Sequence, residues 1–345
     1  MRPLLLPLTP LYGAGVAVRN WFFDIGILRT HRIGVPVISV GNITAGGTGK
    51  TPFVEFLAKR LLQKGRKVAI ISRGYKRQSS DTLVVSNGSV RCAEASDAGD
   101  EPAQMASKLG GAVVVVDEER VRGAAYAVEK FGADAVILDD GFQHRSLYRD
   151  ADVVIIPQLD ISDPGWMLPA GNRRESLSSL KRATLLAISR CDTLAQFERA
   201  RDLLLRGVDK PVVGLTTKIA AFRRAGSRFS VDLACVKGKS AVAFSGIGNP
   251  SSFDRTLASL GVDVKKYTVF PDHHFYTESE LKNLERSRLE GGSDYLITTE
   301  KDVARLTEEK RERRIFLERV PLFYVEIEQS VLTGESMLNE MLDRF

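Results

Sequence analysis

Residues 35–51 read Val-Pro-Val-Ile-Ser-Val-Gly-Asn-Ile-Thr-Ala-Gly-Gly-Thr-Gly-Lys-Thr, and Pro52 follows them. The run VPVISV (35–40) is short, apolar and rich in β-branched residues, which predicts a buried parallel strand. The stretch PFVEFLAKRLLQKG (52–65) has apolar residues at helical spacing, proline first and glycine last, which predicts a helix. A strand, a glycine-rich turn and a helix that follows Gly-Lys-Thr together indicate a phosphate-binding loop.

In such a loop the backbone N–H groups surround the phosphates of a nucleotide. Lys50 is expected to reach the outer phosphates, and the Thr51 hydroxyl to hold Mg²⁺. The pattern GxxxxGK[ST] would place glycine at position 44, where this chain has threonine. The alternative is a glycine-rich loop that binds nothing. The candidate nucleotide-binding residues are Thr44, Ala45, Gly46, Gly47, Thr48, Gly49, Lys50 and Thr51.

Composition indicates a globular protein, and its length of 345 residues favours two domains. The three cysteines are scattered and lie outside any CxxC pair, which argues against a disulfide framework and against a zinc site. The net charge of +6 suggests an anionic partner, which could be a nucleotide, a nucleic acid or a membrane surface. Charge alone does not choose among them.

Residues 1–33 are rich in apolar and aromatic side chains, and their four arginines stand against one acid, Asp24. The uncharged run 3–18 is too short to span a bilayer and contains three prolines. An interfacial segment fits better, with Trp21 among the headgroups and the arginines on anionic lipid. The alternative is a helix packed on the protein's own core. We predict a membrane-associated N-terminal segment.

Apolar runs alternate with helical stretches along residues 34–215, which predicts an α/β fold with a doubly wound, mostly parallel sheet that carries the phosphate loop. Residues 216–238 alternate around a glycine-containing turn and predict a β-hairpin hinge. A smaller α/β domain is expected over 239–345. The charged run 308–314 is read as a solvated helix face. Beyond 35–40, the predicted strands are 67–72, 82–86, 112–116, 134–138, 152–156, 184–189, 212–215, 267–270, 295–299 and 322–327.

The sequence AVILDDGFQH (135–144) places two acids, Asp139 and Asp140, at the carboxyl end of an apolar strand. A carboxylate there lies beside the phosphate loop and can hold Mg²⁺ directly or through water. Adjacent residues of an extended strand point to opposite sides, so the two acids are expected to do different jobs. The alternative is a pair of acids that cap a helix.

Two further turns carry possible proton-transfer groups. In SDAGDEPAQMA (96–106), Asp100 opens a helix, and the residues alone favour an N-cap or first-turn acid. In FPDHHFYT (270–277), His273 follows a strand of the second domain. Adjacent histidines in a loop often have no role, yet phosphoryl transfer to an alcohol needs a group that takes the hydroxyl proton.

Basic loops at the expected ligand-binding edge provide candidate phosphate contacts. SRGYKR (72–77) leaves the carboxyl end of a strand, and LPAGNRRES (168–176) is a second arginine-containing loop. Arginine binds phosphate through paired hydrogen bonds, although each of these side chains could also be a solvated loop charge. The candidates are Arg73, Lys76, Arg77, Arg173 and Arg174.

Together these motifs resemble the tetraacyldisaccharide 4′-kinases, the lipid A 4′-kinases of Gram-negative bacteria. The resemblance covers most of the chain, and the set GGTGKTP, GDEP and DDGFQH in this order is its most specific part. The segment NRRES departs from the usual P-L-R-E-P of the family and keeps only Arg174 and Glu175. The further motifs are Arg19-Asn20, SRGYKR, LPAG, FSGIGNPSSF, FPDHH and ITTEKDVARL.

The resemblance implies ATP- and Mg²⁺-dependent phosphorylation of the 4′-hydroxyl of an acylated glucosamine disaccharide 1-phosphate. It implies that the enzyme acts at the cytoplasmic face of the inner membrane. It also implies two α/β domains that close on the nucleotide. We expect a monomer and no nucleic-acid partner. The family's catalytic aspartate falls on Asp100 and its histidine partner on His273, with Lys50 beside them. Its metal-binding pair falls on Asp139 and Asp140, and the loop pattern adds Thr51 as a metal ligand. Our candidate substrate contacts are Arg73, Lys76, Arg77, Gln143, His144, Arg174 and Glu175.

Direct in-line transfer is the predicted mechanism, with Asp100 as the group that takes the sugar hydroxyl proton. Two other classes remain as alternatives. One is a nucleotide-switch ATPase or GTPase that delivers a metal or a partner, although the chain has no guanine-reading N-K-x-D motif. The other is a peripheral membrane-binding module whose loop no longer turns over nucleotide.

Overall fold

The computed structural model describes residues 3–75, 77, 81–162, 165–227, 229–306 and 316–345. The candidate Lys76 and the charged run 308–314 lie outside these residues. The strands are β1 (Val37–Gly41), β2 (Val68–Ser72), β3 (Leu83–Asn87), β4 (Val113–Val116), β5 (Ala135–Asp139), β6 (Ala151–Pro157), β7 (Leu185–Ser189), β8 (Val212–Arg224), β9 (Ser230–Val231), β10 (Ser240–Ser245), β11 (Asp263–Val269), β12 (Tyr295–Thr299) and β13 (Leu322–Thr333).

Helices occupy the connections between most of these strands. Short 3₁₀ turns cover Pro3–Leu8, Leu177–Arg182 and Leu233–Cys235. The α-helices are α1 (Thr9–Asp24), α2 (Lys50–Gln63), α3 (Ala95–Ala98), α4 (Asp100–Lys108), α5 (Arg120–Phe131), α6 (Gln158–Ser162), α7 (Leu194–Leu205), α8 (Pro250–Ser259), α9 (Glu278–Glu290), α10 (Glu300–Leu306) and α11 (Glu335–Leu342).

The described strands form one sheet in the order β11-β10-β12-β13-β8-β7-β6-β1-β5-β2-β4-β3, with β9 beside β8. Neighbouring strands are parallel except at β3–β4, β8–β13 and β8–β9. Ile38 and Val40 of β1 pack in one apolar cluster with α2, whereas Val37 packs in another with α5. Helices therefore cover both faces of the sheet, and the predicted α/β class is confirmed.

The ribbon of β8 and β13 differs from the predicted hairpin. The strand expected to end at residue 215 continues to Arg224, because β13 pairs antiparallel with it from Gly214 to Arg224. The turn after Arg224 leads into the short β9, so the hairpin is one part of a longer ribbon. We call residues 34–215 the first lobe and 239–345 the second lobe; these boundaries stay a prediction.

The edge strand of the second lobe also begins earlier than predicted. Strand β11 covers Asp263–Val269, whereas the apolar signal marked only 267–270. Its first residues are Asp-Val-Lys-Lys, and most of its side chains are exposed or half-buried. Charged side chains are typical of a sheet edge, and they hide a strand from a search for apolar runs.

The N-terminal helix α1 lies against the first lobe by polar contacts. Asn20 Nδ2 donates to Glu175 Oε2 at 3.0 Å, and the Tyr12 hydroxyl donates to the Arg174 carbonyl at 3.2 Å. Thr9 is the only residue of α1 that is buried. The helix therefore packs on the surface of the first lobe, as the alternative expected, and its association with a membrane stays a prediction. Among the described residues, no helix combines the length and the apolarity that crossing a bilayer requires.

A buried ionic cluster joins the two lobes behind the phosphate loop. Lys108 Nζ of α4 lies 2.9 Å from Glu55 of α2 and 3.1 Å from Glu300 of α10. Gln104 Nε2 also donates to Glu55 at 3.0 Å. Burial raises the pKa of Glu300 to about 7 and also raises the pKa of Glu55, while the lysine opposes both shifts. One ammonium thus holds two acids in a site where neither is well hydrated.

Replacing Lys108 by methionine is expected to lower the free energy of unfolding by about 3–5 kcal/mol, because two buried acids lose their counterion. The loss should be smaller at pH 5 than at pH 8, since the raised pKa values of Glu55 and Glu300 let both protonate as the pH falls. Urea unfolding at the two pH values measures this loss in the free energy of unfolding. Lys282→Met, which removes an exposed pair with Glu278, is the control and should change little.

Candidate active site

The phosphate loop takes its shape from two glycines in the left-handed region. Gly46 has φ 118° and Gly49 has φ 94°, values that other residues adopt only with strain. Gly49 is the N-cap of α2, so the helix begins at Lys50 and Pro52 is its third residue rather than its first. The N-terminus of α2 and its unpaired N–H groups therefore face the loop, as phosphate binding requires.

Threonine at position 44 fits the loop without a glycine. Thr44 is 2% exposed, and its Oγ1 donates to Asp160 Oδ2 at 3.1 Å. The next N–H, that of Ala45, donates to the Asn172 carbonyl at 2.7 Å. The φ of Thr44 lies outside the left-handed region, unlike those of Gly46 and Gly49. The side chain at 44 thus anchors the loop at a position where no glycine is needed.

The rest of the loop is fixed from β1 and β7. Asn42 Nδ2 donates to Thr48 Oγ1 at 2.9 Å, and Ser189 Oγ donates to the Thr48 carbonyl at 2.8 Å. Arg190, directly after β7, donates to the Gly47 carbonyl. The loop is therefore held open in one conformation by side chains that the phosphate-loop pattern does not include.

Asp139 and Asp140 have different surroundings, but Asp140 has φ 53° and does not continue the extended strand that the prediction assumed. Asp139 ends β5 beside β1, is 2% exposed, and accepts a hydrogen bond from Ser72 Oγ at 2.9 Å. Burial, with Glu101 and Asp140 nearby, raises the pKa of Asp139 to about 7. Burial opposes ionisation of Asp140 too, yet Lys50 at 3.4 Å and Arg174 at 2.8 Å lower its pKa.

The donor set of Thr51, Asp139 and Asp140 fits Mg²⁺. All three offer hard oxygen ligands, and Asp139 Oδ1 is buried without a hydrogen-bond partner among the described residues. No three histidine, cysteine or acidic side chains converge on one point in the described part of the chain. A Mg²⁺ ion needs few protein ligands, because water and nucleotide phosphate oxygens complete its shell.

Asp100 and His273 meet between the lobes. His273 Nδ1 lies 2.6 Å from Asp100 Oδ2, and Asp100 is only 6% exposed. Asp100 is the first residue of α4 and Gly99 is its N-cap, so Asp100 is the first-turn acid that the residues alone allowed and not the N-cap. Burial acts against ionisation, but hydrogen bonds from His273 and Arg305 lower the pKa of Asp100.

Glu101 connects this pair to the phosphate loop. Its carboxylate forms an ion pair with Lys301 of α10, and the charge of Lys301 is the main cause that lowers the pKa of Glu101. Lys50 lowers the same pKa and Asp140 raises it. Lys50, Asp140 and the Asp100 turn therefore share one electrostatic environment at the carboxyl edge of the sheet.

Three of the predicted substrate residues cluster beside Asp140 and α1. Gln143 Nε2 donates to Glu175 Oε1 at 3.0 Å, and Arg174 binds Asp140 as described. Arg19 of α1 donates to the Gln143 carbonyl at 2.5 Å. Burial, together with Arg120 and Arg73, lowers the pKa of His144 to about 4, so its imidazole is neutral at pH 7.

The other predicted contacts are less closely grouped. Arg73 is exposed. Arg77 donates to the carbonyls of Asp81 and Val116 and so supports its own loop, which disfavours a substrate role. Arg173 is 7% exposed and lies at an antiparallel bridge with Thr44, where it supports the phosphate loop.

Two residues of the site lie in the motif ITTEKDVARL and were given no role from the sequence. Lys301 and Arg305 stand four residues apart on α10, and each binds one of the adjacent acids Glu101 and Asp100. The signal was present, because residues at i and i+4 share a helix face. Without the fold, however, nothing placed α10 opposite α4.

Comparison with known proteins matches the whole chain, residues 1–345, to the family model described as tetraacyldisaccharide-1-P 4′-kinase (LpxK). Tetraacyldisaccharide 4′-kinase of Anaeromyxobacter dehalogenans is 41% identical over 309 residues, which cover 88% of this chain and 81% of the relative. The Chlorobium limicola enzyme is 36% identical, with coverage of 100% and 98%.

A crystal structure of LpxK from Aquifex aeolicus in complex with ATP superposes with a TM-score of 0.79 at 33% identity, over 99% of this chain and 98% of that one. These matches confirm the resemblance drawn from the sequence, and with it the kinase class and ATP with Mg²⁺ as cofactors. They give no support to a nucleotide switch or a membrane-binding module. The chain belongs to the tetraacyldisaccharide-1-phosphate 4′-kinase family.

Proposed function

We propose that this chain transfers the γ-phosphoryl group of ATP to the 4′-hydroxyl of an acylated glucosamine disaccharide 1-phosphate. The observation that carries the proposal is the contact between Asp100 and His273 next to a phosphate loop, in a member of this kinase family. A phosphate loop alone would serve a switch as well as a kinase. A buried carboxylate with an imidazole partner adds a proton acceptor for an alcohol.

Lys50 and the loop N–H groups bind the β- and γ-phosphates and offset the charge that develops on them. Mg²⁺, when bound at Thr51, Asp139 and Asp140, neutralises phosphate charge. Asp100 takes the proton of the 4′-hydroxyl as the sugar oxygen bonds to the γ-phosphorus. The bond from that phosphorus to the β,γ-bridging oxygen breaks, and ADP leaves. His273 orients the Asp100 carboxylate through the contact of its Nδ1 with Asp100 Oδ2.

The acceptor sugar lies between Asp100 and the cluster of Gln143, Arg174 and Glu175. Gln143 offers an amide group for sugar hydroxyls, and Arg174 a cation for phosphate. Glu175 is 1% exposed and holds Gln143 in place through its Oε1. Arg73 and neutral His144 are further contacts at the same edge. Closing the first lobe (34–215) on the second (239–345), about the ribbon that contains 216–238, would exclude water from the transfer.

We further propose that a monomer works at the cytoplasmic face of the inner membrane, with α1 as its contact. The half-buried residues of α1, such as Tyr12, Val16 and Asn20, recur at helical spacing and face the protein. The opposite face carries Leu11 (70% exposed) and Trp21 (55% exposed). Apolar side chains held outward by a polar attachment are typical of an interfacial helix.

The double variant Leu11→Glu/Trp21→Glu is expected to bind anionic vesicles about tenfold more weakly or worse, because apolar contact is lost and charge is added. Vesicle co-sedimentation measures it, and added salt should weaken binding of the unchanged protein as well. Leu289→Glu, at a 63% exposed leucine of α9, is the control. Equal binding of all three proteins would refute the membrane role of α1.

The transfer reaction is tested by ADP release with and without the detergent-dispersed acylated disaccharide. A kinase releases ADP rapidly only when the acceptor is present. Acceptor-independent hydrolysis at the same rate would favour a nucleotide switch, and no turnover in either case would contradict both. Vesicles that lack the disaccharide control for activation by a lipid surface.

A further inference from the structure

A second side chain binds the Asp100 carboxylate besides His273. Arg305 of α10 donates from Nε to Asp100 Oδ2 at 2.7 Å, the same oxygen that His273 Nδ1 approaches at 2.6 Å. Arg305 is 1% exposed, so this is a buried, charge-assisted hydrogen bond. The family resemblance assigned roles to Asp100 and His273 but none to Arg305.

Arg305 is itself held by a fully bonded carboxylate. Asp302, one turn earlier on α10, is 0% exposed and accepts from Arg305 Nη1 at 2.9 Å. The same Oδ1 accepts from the Tyr276 hydroxyl at 2.8 Å, and Oδ2 accepts from Thr299 Oγ1 at 2.6 Å. These bonds leave the guanidinium little freedom to choose another position.

One carbonyl aligns both donors of Asp100. The Gly246 carbonyl, at the carboxyl end of β10, accepts from Arg305 Nη1 at 3.0 Å and from the His273 N–H at 3.1 Å. His273 has φ 63°, a strained value that this backbone bond helps to hold. The second lobe therefore presents an arginine and a histidine together to one oxygen of the first lobe.

We propose that Arg305 is a positioning residue for phosphoryl transfer: it fixes Asp100 Oδ2 from the second lobe, so that Oδ1 faces the acceptor hydroxyl. This rests on the proposed function. A carboxylate held at one oxygen by two donors has a fixed direction for its other oxygen, and proton transfer depends on that direction. Because both donors belong to the second lobe, Asp100 is oriented only when the lobes are together.

The charge of Arg305 has a second effect. Two charged or titratable side chains contact Asp100 directly, His273 and Arg305. Asp272 lies 3.8 Å from His273 Nε2, and Asp302 forms an ion pair with Arg305. The charge of Lys301 also acts on Asp100. The guanidinium charge helps to lower the pKa of Asp100. Removing it should raise that pKa, and the acidic limb of the pH–rate profile should move to higher pH.

The test compares Arg305→Met with the unchanged protein in ATP-dependent phosphorylation of the acylated disaccharide. We expect kcat to fall about 100-fold, as a misplaced catalytic group can cost. KM for ATP should stay the same, and the acidic limb should shift upward. In an Asp100→Ala background, Arg305→Met should cause no further loss, because the group it positions is gone.

Two variants separate this role from folding. Arg305→Lys keeps a cation that can reach Asp302 or Asp100 but not both, so it should fold and lose part of the rate. Arg288→Met removes a half-buried ion pair with Glu285 in the same lobe and should leave kcat and the pH profile unchanged. An equal loss in the Asp100→Ala background, or an unshifted pH profile with normal kcat per folded molecule, would overturn the proposal. No lipid phosphorylation by the unchanged protein would instead overturn the proposed function itself.

Discussion

Replacing Lys50 by alanine is expected to lower kcat for phosphoryl transfer by about 1,000-fold or more, since it removes a charge aimed at the transferring group. The structure adds a second reason. Lys50 Nζ lies 3.4 Å from Asp140 and also opposes the raised pKa of Asp139. Without Lys50, less positive charge would offset the repulsion among the carboxylates of Asp139, Asp140 and Glu101. Asp139 should therefore protonate more readily near pH 7.

Single-turnover phosphorylation of the acylated disaccharide measures this effect. Lys59→Ala is the matched control, because Lys59 is a half-buried lysine of the same helix more than two turns from the loop. It should retain nearly normal turnover. A Lys50→Ala variant with near-normal kcat would contradict the placement of ATP phosphates on this loop.

Loss of Asp100 or His273 should have the second largest effect. A positioned general base contributes about 100- to 10,000-fold, so Asp100→Ala should lower kcat within that range. His273→Ala should fall to a similar rate, because the two side chains share the Asp100 Oδ2 contact at 2.6 Å. ATP affinity should change far less, since neither residue binds the phosphates.

The double variant makes this prediction specific. If Asp100 and His273 act as one unit, Asp100→Ala/His273→Ala should be no slower than the worse single variant. Fully additive losses would mean that they act independently. Removing Asp100 takes a buried partner from Arg305, so a loss of stability is expected together with the loss of turnover. Normal turnover per folded molecule would contradict the prediction. Melting temperatures of all three variants serve as the check on folding.

Much of the first lobe could be predicted because its signals are local. Each signal constrains the backbone within a few residues: the apolar run before the loop, the glycines at 46 and 49, and the two acids at the end of β5. Glycine with positive φ marks the loop, and an apolar strand that ends in acids marks the edge where we propose that Mg²⁺ binds. The predicted start of α2 was displaced by two residues, because Gly49 rather than Thr51 is its cap.

The contacts between the lobes could not be predicted in the same way. Arg305 binds Asp100 across 205 residues of sequence, and Lys108 binds Glu300 across 192. Such pairs depend on how the antiparallel pairing of β8 with β13 joins the two lobes in one sheet. Charge spacing within one helix carries no information about that pairing. The pairing of Asp100 with His273 came from the family resemblance, and its roles stay a proposal.

The most direct test of the account is the position of the new phosphate on the product. The purified protein is incubated with ATP, Mg²⁺ and the acylated disaccharide 1-phosphate, and the lipid product is examined by phosphorus and proton NMR. The account predicts a second phosphomonoester coupled to the proton on carbon 4′, and none in the Lys50→Ala reaction. Phosphate on another hydroxyl, or recovered only as inorganic phosphate, would contradict it.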